Sequence, residues 1–268
     1  MIIGFIGSGN MAEALVRGVL DARLAEPKDV IMSDVRPERL AEMRRRYGVR
    51  TEEDNAALAG AVDALVLSVK PQTMGEVLEQ IAQAVRPGTT VISIAAGIST
   101  ARIGRALPNV PVVRVMPNTP ALVGAGAAGL YCADPASAAM QTALRIFSAV
   151  GVAVAVEREE LIDAVTAVSG SGPAYFFLLM EHMTQAAVEL GLDAKTAATL
   201  VGQTAKGAAL LAEQAAAEGQ GPPDLRKKVT SPGGTTAAAL SVFADAVFEQ
   251  IVRRALTAAR DRSIELSA

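Results

Sequence analysis

Six residues near the N-terminus, Gly7-Ser8-Gly9-Asn10-Met11-Ala12, have the spacing GxGxxA. That spacing can hold a pyrophosphate. Gly7 permits a tight turn, Gly9 lets the backbone approach the phosphates, and Ala12 lets a helix pack closely on a strand. The phosphates then rest on the helix start, where unpaired N–H groups and the dipole favour negative charge. A purely structural glycine turn would show the same letters. Here the motif directly follows an apolar run and opens a helical pattern, which favours a dinucleotide. Gly7, Ser8, Gly9, Asn10 and Met11 are the candidate contacts.

Ser33-Asp34-Val35-Arg36 closes the second apolar run. An acid there suits the ribose hydroxyls of NADH, whereas a hydroxyl with an arginine suits the extra phosphate of NADPH. Both sets are present. Ser33 and Arg36 can hold a phosphate jointly, which favours NADPH and keeps NADH as the alternative. Arg36 could also be a solvated turn residue. Asn55 could reach the same pocket. Ser68-Val69-Lys70-Pro71 ends a third run, where ligands of open α/β sheets bind. Lys70 there faces the cofactor or an anionic substrate, or it is a surface lysine. Ala95-Ala96-Gly97 follows a fourth run, and its small residues leave room for a flat nicotinamide ring.

Two further segments stand out. In Arg114-Val115-Met116-Pro117-Asn118-Thr119-Pro120 the prolines frame a rigid turn, and Asn118 offers both donor and acceptor groups. Val229-Thr230-Ser231-Pro232-Gly233-Gly234-Thr235-Thr236 precedes a helical stretch. Its glycines expose backbone N–H groups and its hydroxyls can cap the helix. Together they make a nest for a small anion such as a carboxylate.

These residues need a scaffold of 268 residues, 51% apolar but only 3% aromatic. A core of Ala, Val, Leu and Ile suits close-packed helices and parallel strands buried on both faces. A net charge of −3 leaves no basic footprint for nucleic acid. One cysteine, Cys132, excludes an intrachain disulfide and fits a reducing compartment. One histidine, His182, excludes a multi-histidine metal site, and any Ser-His-Asp triad that does not use it. His182 reads as helix surface or interface, and no metal is expected. The N-terminus reads as a buried strand rather than a signal peptide. No stretch reaches the roughly 18 uninterrupted apolar residues of a membrane span, so no membrane partner is expected and a cytoplasmic location is.

Short apolar runs lie at 1–6, 30–35, 62–69, 90–96, 111–116 and 126–132, with helical patterns between the earlier ones. Strands alternating with helices predict a mostly parallel, doubly wound sheet, a Rossmann domain over 1–157. Beyond it, 158–268 reads as all-helical, with stretches at 159–168, 173–191, 194–218 and 235–261. The segment Ala174-Tyr175-Phe176-Phe177-Leu178-Leu179-Met180 is apolar nearly all round, which predicts a dimer interface or else a central helix of the domain.

The combination resembles the pyrroline-5-carboxylate reductase family. The matching segments are GFIGSGNMA at Gly4–Ala12, VKPQ at Val69–Gln72, SIAAGIS at Ser93–Ser99, RVMPNTP at Arg114–Pro120, SGSGPAY at Ser169–Tyr175 and VTSPGGTT at Val229–Thr236. The resemblance implies a Rossmann domain followed by an α-helical dimerisation domain, in a dimer often assembled into a decamer. It implies a site combining one subunit's cofactor domain with helical residues that could come from the other. The implied reaction, the last step of proline biosynthesis, reduces 1-pyrroline-5-carboxylate to L-proline with NADPH or NADH. The backbone of Ser231, Gly233, Gly234 and Thr235 would bind the substrate carboxylate, and the Thr236 hydroxyl would hydrogen-bond the ring nitrogen. Two other readings share this plan: another imine reductase or β-hydroxyacid dehydrogenase, and a non-enzymatic nucleotide-binding protein. Turnover with different substrates separates them.

Overall fold

Four strands, β1 (Ile3–Ile6), β2 (Val30–Ser33), β4 (Ala64–Leu67) and β5 (Thr90–Ser93), each have every residue buried. Such strands need helices on both faces, and a computed structural model describing residues 1–267 supplies them. With β3 (Arg50–Thr51), β6 (Val112–Met116), β7 (Gly126–Cys132) and β8 (Gly151–Ala155) they form one sheet in the order β3-β2-β1-β4-β5-β6-β7-β8. All pairs are parallel except β6 with β7. On one face pack α1 (Asn10–Asp21), α2 (Pro37–Tyr47) and α6 (Ala138–Ser148), through Leu15, Val19, Met43, Ile146 and Phe147. On the other lie α3 (Asn55–Ala61), α4 (Met74–Ile81) and α5 (Thr100–Ala106), through Leu58, Met74, Leu78, Ile81 and Ile103.

The strand order turns back at β1, whose neighbours are β2 and β4. The carboxyl ends of β1 and β4 therefore sit side by side at a switch point, the usual place for a ligand in such sheets. Two strands lie outside the six runs expected from the sequence. β3 has only two residues, neither buried, and β8 exposes Val152 and Val154.

After β8 come α7 (Leu161–Val165) and a π-helical turn, Thr166–Gly170. Asn118 holds this region with both ends of its amide. Its Nδ2 donates to the Ser169 carbonyl at 2.9 Å, and its Oδ1 accepts from the Ala127 N–H at 2.8 Å. The chain then enters a second compact unit, Ala174–Ala255, while Met1–Pro173 and the chain from Leu256 onward form the first. The change of texture at 157 marks where strands end; the units divide at Pro173 and again at Leu256.

The second unit contains most of α8 (Gly172–Glu189), α9 (Ala194–Ala217), α10 (Pro222–Lys228), α11 (Thr235–Asp245) and the start of α12 (Phe248–Ser267). The stretch expected as one helix over 235–261 is broken between α11 and α12, where Val247 takes a positive φ of 49°. Alone, this unit covers little apolar surface: Phe176 is 68% exposed, Phe177 62% and Leu178 54%. By length and composition alone, Leu161–Glu189 is apolar enough to cross a membrane.

The end of α12 returns to the first unit. The Ser263 hydroxyl donates to Asp163 at 2.7 Å, both residues being buried.

Candidate active site

Gly7, immediately after β1, has a φ of +94°, and a Cβ there would lie 2.7 Å from the Ser68 carbonyl oxygen. Only glycine fits so close a turn. The Ser68 hydroxyl lies 3.0 Å from the Ile6 carbonyl and 2.7 Å from that of Gly7, so it ties the end of β4 to the glycine loop. Gly9 differs. Its φ is an ordinary −66°, and a Cβ there would meet nothing within 4 Å. It caps α1 without any side-chain bond, which leaves the first-turn N–H groups of Asn10 and Met11 uncapped. Open space at Gly9 above an uncapped helix start fits a dinucleotide pyrophosphate.

Ser8 is fully buried, and its hydrogen-bonding groups are engaged within the protein. Its N–H and hydroxyl donate to Asp34 Oδ2 at 2.8 and 2.7 Å, and its carbonyl accepts from Arg39 Nε at 2.8 Å. Arg39, on α2, also pairs with Glu13 and with Glu42, while Tyr47 and Arg46 reach Glu13. The loop is thus clamped on both sides. Burial pushes the Asp34 carboxyl up, but hydrogen bonds from Arg36 and Ser8 outweigh it and hold the pKa at about 2. Sequence reasoning saw Asp34 but weighted its neighbours; it had no signal for Arg39.

Ser33 and Arg36 are engaged separately. The buried Ser33 hydroxyl donates to Asn55 Oδ1 at 2.6 Å, and Asn55 in turn donates to Gln80. Arg36 pairs with Asp34 at 3.1 Å. Ser33 and Asn55 are brought together as expected, but the joint Ser33–Arg36 grip on a phosphate is not preassembled.

Beyond β4, Val69 is partly buried, Lys70 is exposed, and Pro71 opens a 3₁₀ turn, Pro71–Thr73. Beyond β5, Ala95 is buried and Ala96 exposed. Gly97 has a φ of +74°, and a Cβ there would lie 2.6 Å from the Leu266 carbonyl oxygen. Its smallness is required by the last turn of α12, so room for a ring reduces to Ala96. Nearby, buried Arg114 pairs with Glu159 at 3.1 Å, and Glu159 also accepts from the N–H and hydroxyl of Thr100 at 2.8 and 2.6 Å.

In the second unit, Gly233 takes a φ of +71° and Gly234 caps α11 without a side-chain bond. Among the described residues no hydroxyl of the run caps this helix, whose N-cap is Gly234, so the capping expectation fails there. The Gly234 N–H closes the turn on the Ser231 carbonyl at 3.1 Å. No partner for the N–H groups of Ser231, Gly233 or Thr235 is present among the described residues. Thr236 lies half-buried in the first turn of α11.

This chain is similar to known proteins along its whole length. Residues 159–266 match the family model described as pyrroline-5-carboxylate reductase dimerisation. Residues 2–97 match one described as NADP oxidoreductase, coenzyme F420-dependent. The pyrroline-5-carboxylate reductase of Pseudomonas aeruginosa is 47% identical over 99% of this chain and 96% of its own length. The chain belongs to the pyrroline-5-carboxylate reductase family. Solved members of this reductase family share its fold. The Coxiella burnetii enzyme superposes with a TM-score of 0.93 at 39% identity, covering 99% of this chain and 98% of that one. The Plasmodium falciparum enzyme, solved with NADP bound, gives 0.86 at 28% identity, covering 100% of this chain and 98% of that one. As a member of the reductase family the chain is an NAD(P)-dependent oxidoreductase, with a Rossmann fold followed by a helical dimerisation domain.

Proposed function

We propose that this protein reduces 1-pyrroline-5-carboxylate to L-proline, the final step of proline biosynthesis, with NADPH as first donor and NADH as second. The observation that carries the reading is the uncapped start of α11. Three N–H groups without partners among the described residues, at Ser231, Gly233 and Thr235, suit one small carboxylate. The open helix start at Gly9 suits the dinucleotide.

When bound, the reduced nicotinamide supplies a hydride from C4, which becomes the new C–H bond at the imine carbon. The residues of this chain then bind and orient. Gly9, Asn10 and Met11 receive the pyrophosphate at the start of α1, while Gly7, Ser68 and Arg39 fix the loop behind it. Lys70 and Ala96 lie beyond the carboxyl ends of the central strands β4 and β5, where the nicotinamide half would arrive. In the substrate loop, Gly234 holds the turn and the free N–H groups grip the carboxylate. The Thr236 hydroxyl bonds the ring nitrogen, fixing which face of the imine carbon is presented and supplying a proton path where the neutral imine binds. The iminium is already electrophilic, so positioning supplies most of what the reaction requires. A site without histidine or cysteine is sufficient for that.

The exposed apolar face of α8 is best explained by a second copy covering it, and we assign a homodimer with further assembly to a decamer. We place the enzyme in the cytoplasm. Steady-state oxidation of NADPH and NADH with pyrroline-5-carboxylate tests the activity. Turnover of 3-hydroxy acids with NADP+ in its place, or nucleotide binding without any turnover, would replace this reading.

A further inference from the structure

The loop over 94–99 that leaves β5 is held at both ends. At its start the Ile94 N–H donates to the Leu67 carbonyl at 3.2 Å. At its far end Thr100, the first residue of α5, gives both its N–H and its hydroxyl to Glu159, at 2.8 and 2.6 Å. Glu159 lies 59 residues further along the chain, so this grip is not the local helix cap. That cap is Ser99, whose hydroxyl accepts from the Arg102 N–H at 3.2 Å. Glu159 is itself fixed, because buried Arg114 donates to it at 3.1 Å. Arg114 sits on β6 in register with Ser93, the last residue of β5. The loop is therefore tied back to the strand it left, through Thr100, Glu159 and Arg114 in turn. A buried arginine on a carboxylate makes a firm anchor, since leaving either charge unpaired there is costly.

We propose that Glu159 is a positioning residue for hydride transfer, fixing through Thr100 the height of the loop on which the nicotinamide ring lies. The proposal rests on placing that ring at Ala96. Ala96 is exposed, while Ala95 and Ile98 on either side of it are buried. Gly97 packs against the Leu266 carbonyl in the last turn of α12, a contact of shape alone. Glu159 adds the directed bonds that shape does not supply. Hydride transfer needs donor and acceptor carbons roughly 3–3.5 Å apart and aligned, and a displacement of about 1 Å can cost about a hundredfold in rate. The pyrophosphate is received elsewhere, at the start of α1. Loosening this loop therefore leaves the nucleotide bound and misplaces only its ring. Affinity persists while the chemical step slows, which separates the role of Glu159 from cofactor binding.

The test compares the full chain with Thr100→Val, Thr100→Ser, Glu159→Gln and Ala96→Leu. Thr100→Val removes one bond and leaves the Glu159–Arg114 pair intact, so it stays informative if Glu159→Gln fails to fold. Hydrogen exchange on the nucleotide-free protein should be faster over 94–100 in Thr100→Val and Glu159→Gln. In both, single-turnover oxidation of NADPH by pyrroline-5-carboxylate should slow about tenfold or more. A single-turnover rate does not depend on how much of the protein is folded. Hydride transfer should then limit kcat, shown by a full primary isotope effect from NADPH deuterated at the transferred position, while KM for NADPH barely moves. Thr100→Ser keeps the hydroxyl and should match the parent. Unchanged exchange, an unchanged single-turnover rate, or a rise in KM for NADPH alone would overturn the proposal and leave Glu159 as a brace for α5. Ala96→Leu tests the underlying reading: normal turnover there would mean that the ring lies elsewhere, and the proposal would fall with it.

Discussion

The Ser263 hydroxyl donates to the Asp163 carboxyl at 2.7 Å, joining the last turns of α12 to α7 between two buried residues. Removing the donor leaves a buried acceptor unsatisfied, which costs about 1–3 kcal/mol. Ser263→Ala should therefore lower the apparent thermal midpoint by several degrees, read by circular dichroism. An unchanged midpoint would mean that water replaces the hydroxyl.

Gly7 and Gly9 should respond oppositely to the same added methyl group. Gly7→Ala forces a side chain onto a φ of +94° and against the Ser68 carbonyl, so it should destabilise the fold. Gly9→Ala meets nothing and keeps an ordinary φ, so thermal stability should hold while nucleotide affinity falls. Unfolding curves paired with nucleotide titrations decide the matter; matching losses of stability would remove the pyrophosphate role of Gly9.

Thr236 should behave as an orienting group rather than an indispensable one. Thr236→Ala should lower kcat by roughly ten- to a thousandfold, as losing one positioned donor or proton-transfer group does. Thr236→Ser should keep most of the activity. Full turnover by the alanine variant would end the assignment, and helix capping could not take its place, since the structure shows no cap from this residue.

The apolar face of α8 predicts assembly. At micromolar concentration the protein should sediment as a dimer or a multiple of one. Phe176→Asp, which puts a charge on a side chain 68% exposed in the single chain, should shift it toward monomer. An active, monodisperse monomer of the parent protein would contradict the dimer.

The sheet was legible where burial is complete. β1, β2, β4 and β5 are short apolar runs because both faces are covered. β3 escaped because it has only two residues, neither buried, whereas β8 is apolar throughout, GVAVA, and was open to being read as a strand; the antiparallel turn of β7 leaves no trace in composition. The break after α11 falls on Ala246-Val247-Phe248, with neither glycine nor proline to announce it. In the site, Gly7 could be read correctly because its constraint is local. Gly97 could not, because the atom that demands a glycine there is the carbonyl of Leu266, far along the chain. The bond from the Ser8 hydroxyl to Asp34 has no signature in the spacing of the glycine motif.

The return of α12 to the first unit bears on the order in which the protein is made. The sheet, the glycine loop and Asp163 all emerge from the ribosome before the second unit, and the turn that covers Gly97 emerges after it. Until then Asp163 lacks its Ser263 donor and the loop beyond β5 lacks its cover. The nucleotide unit cannot finish folding as a nascent N-terminal piece. Its last packing step waits for the whole of 174–255 to be synthesised, so a chain that stalls within that stretch should be left with an unfinished cofactor site.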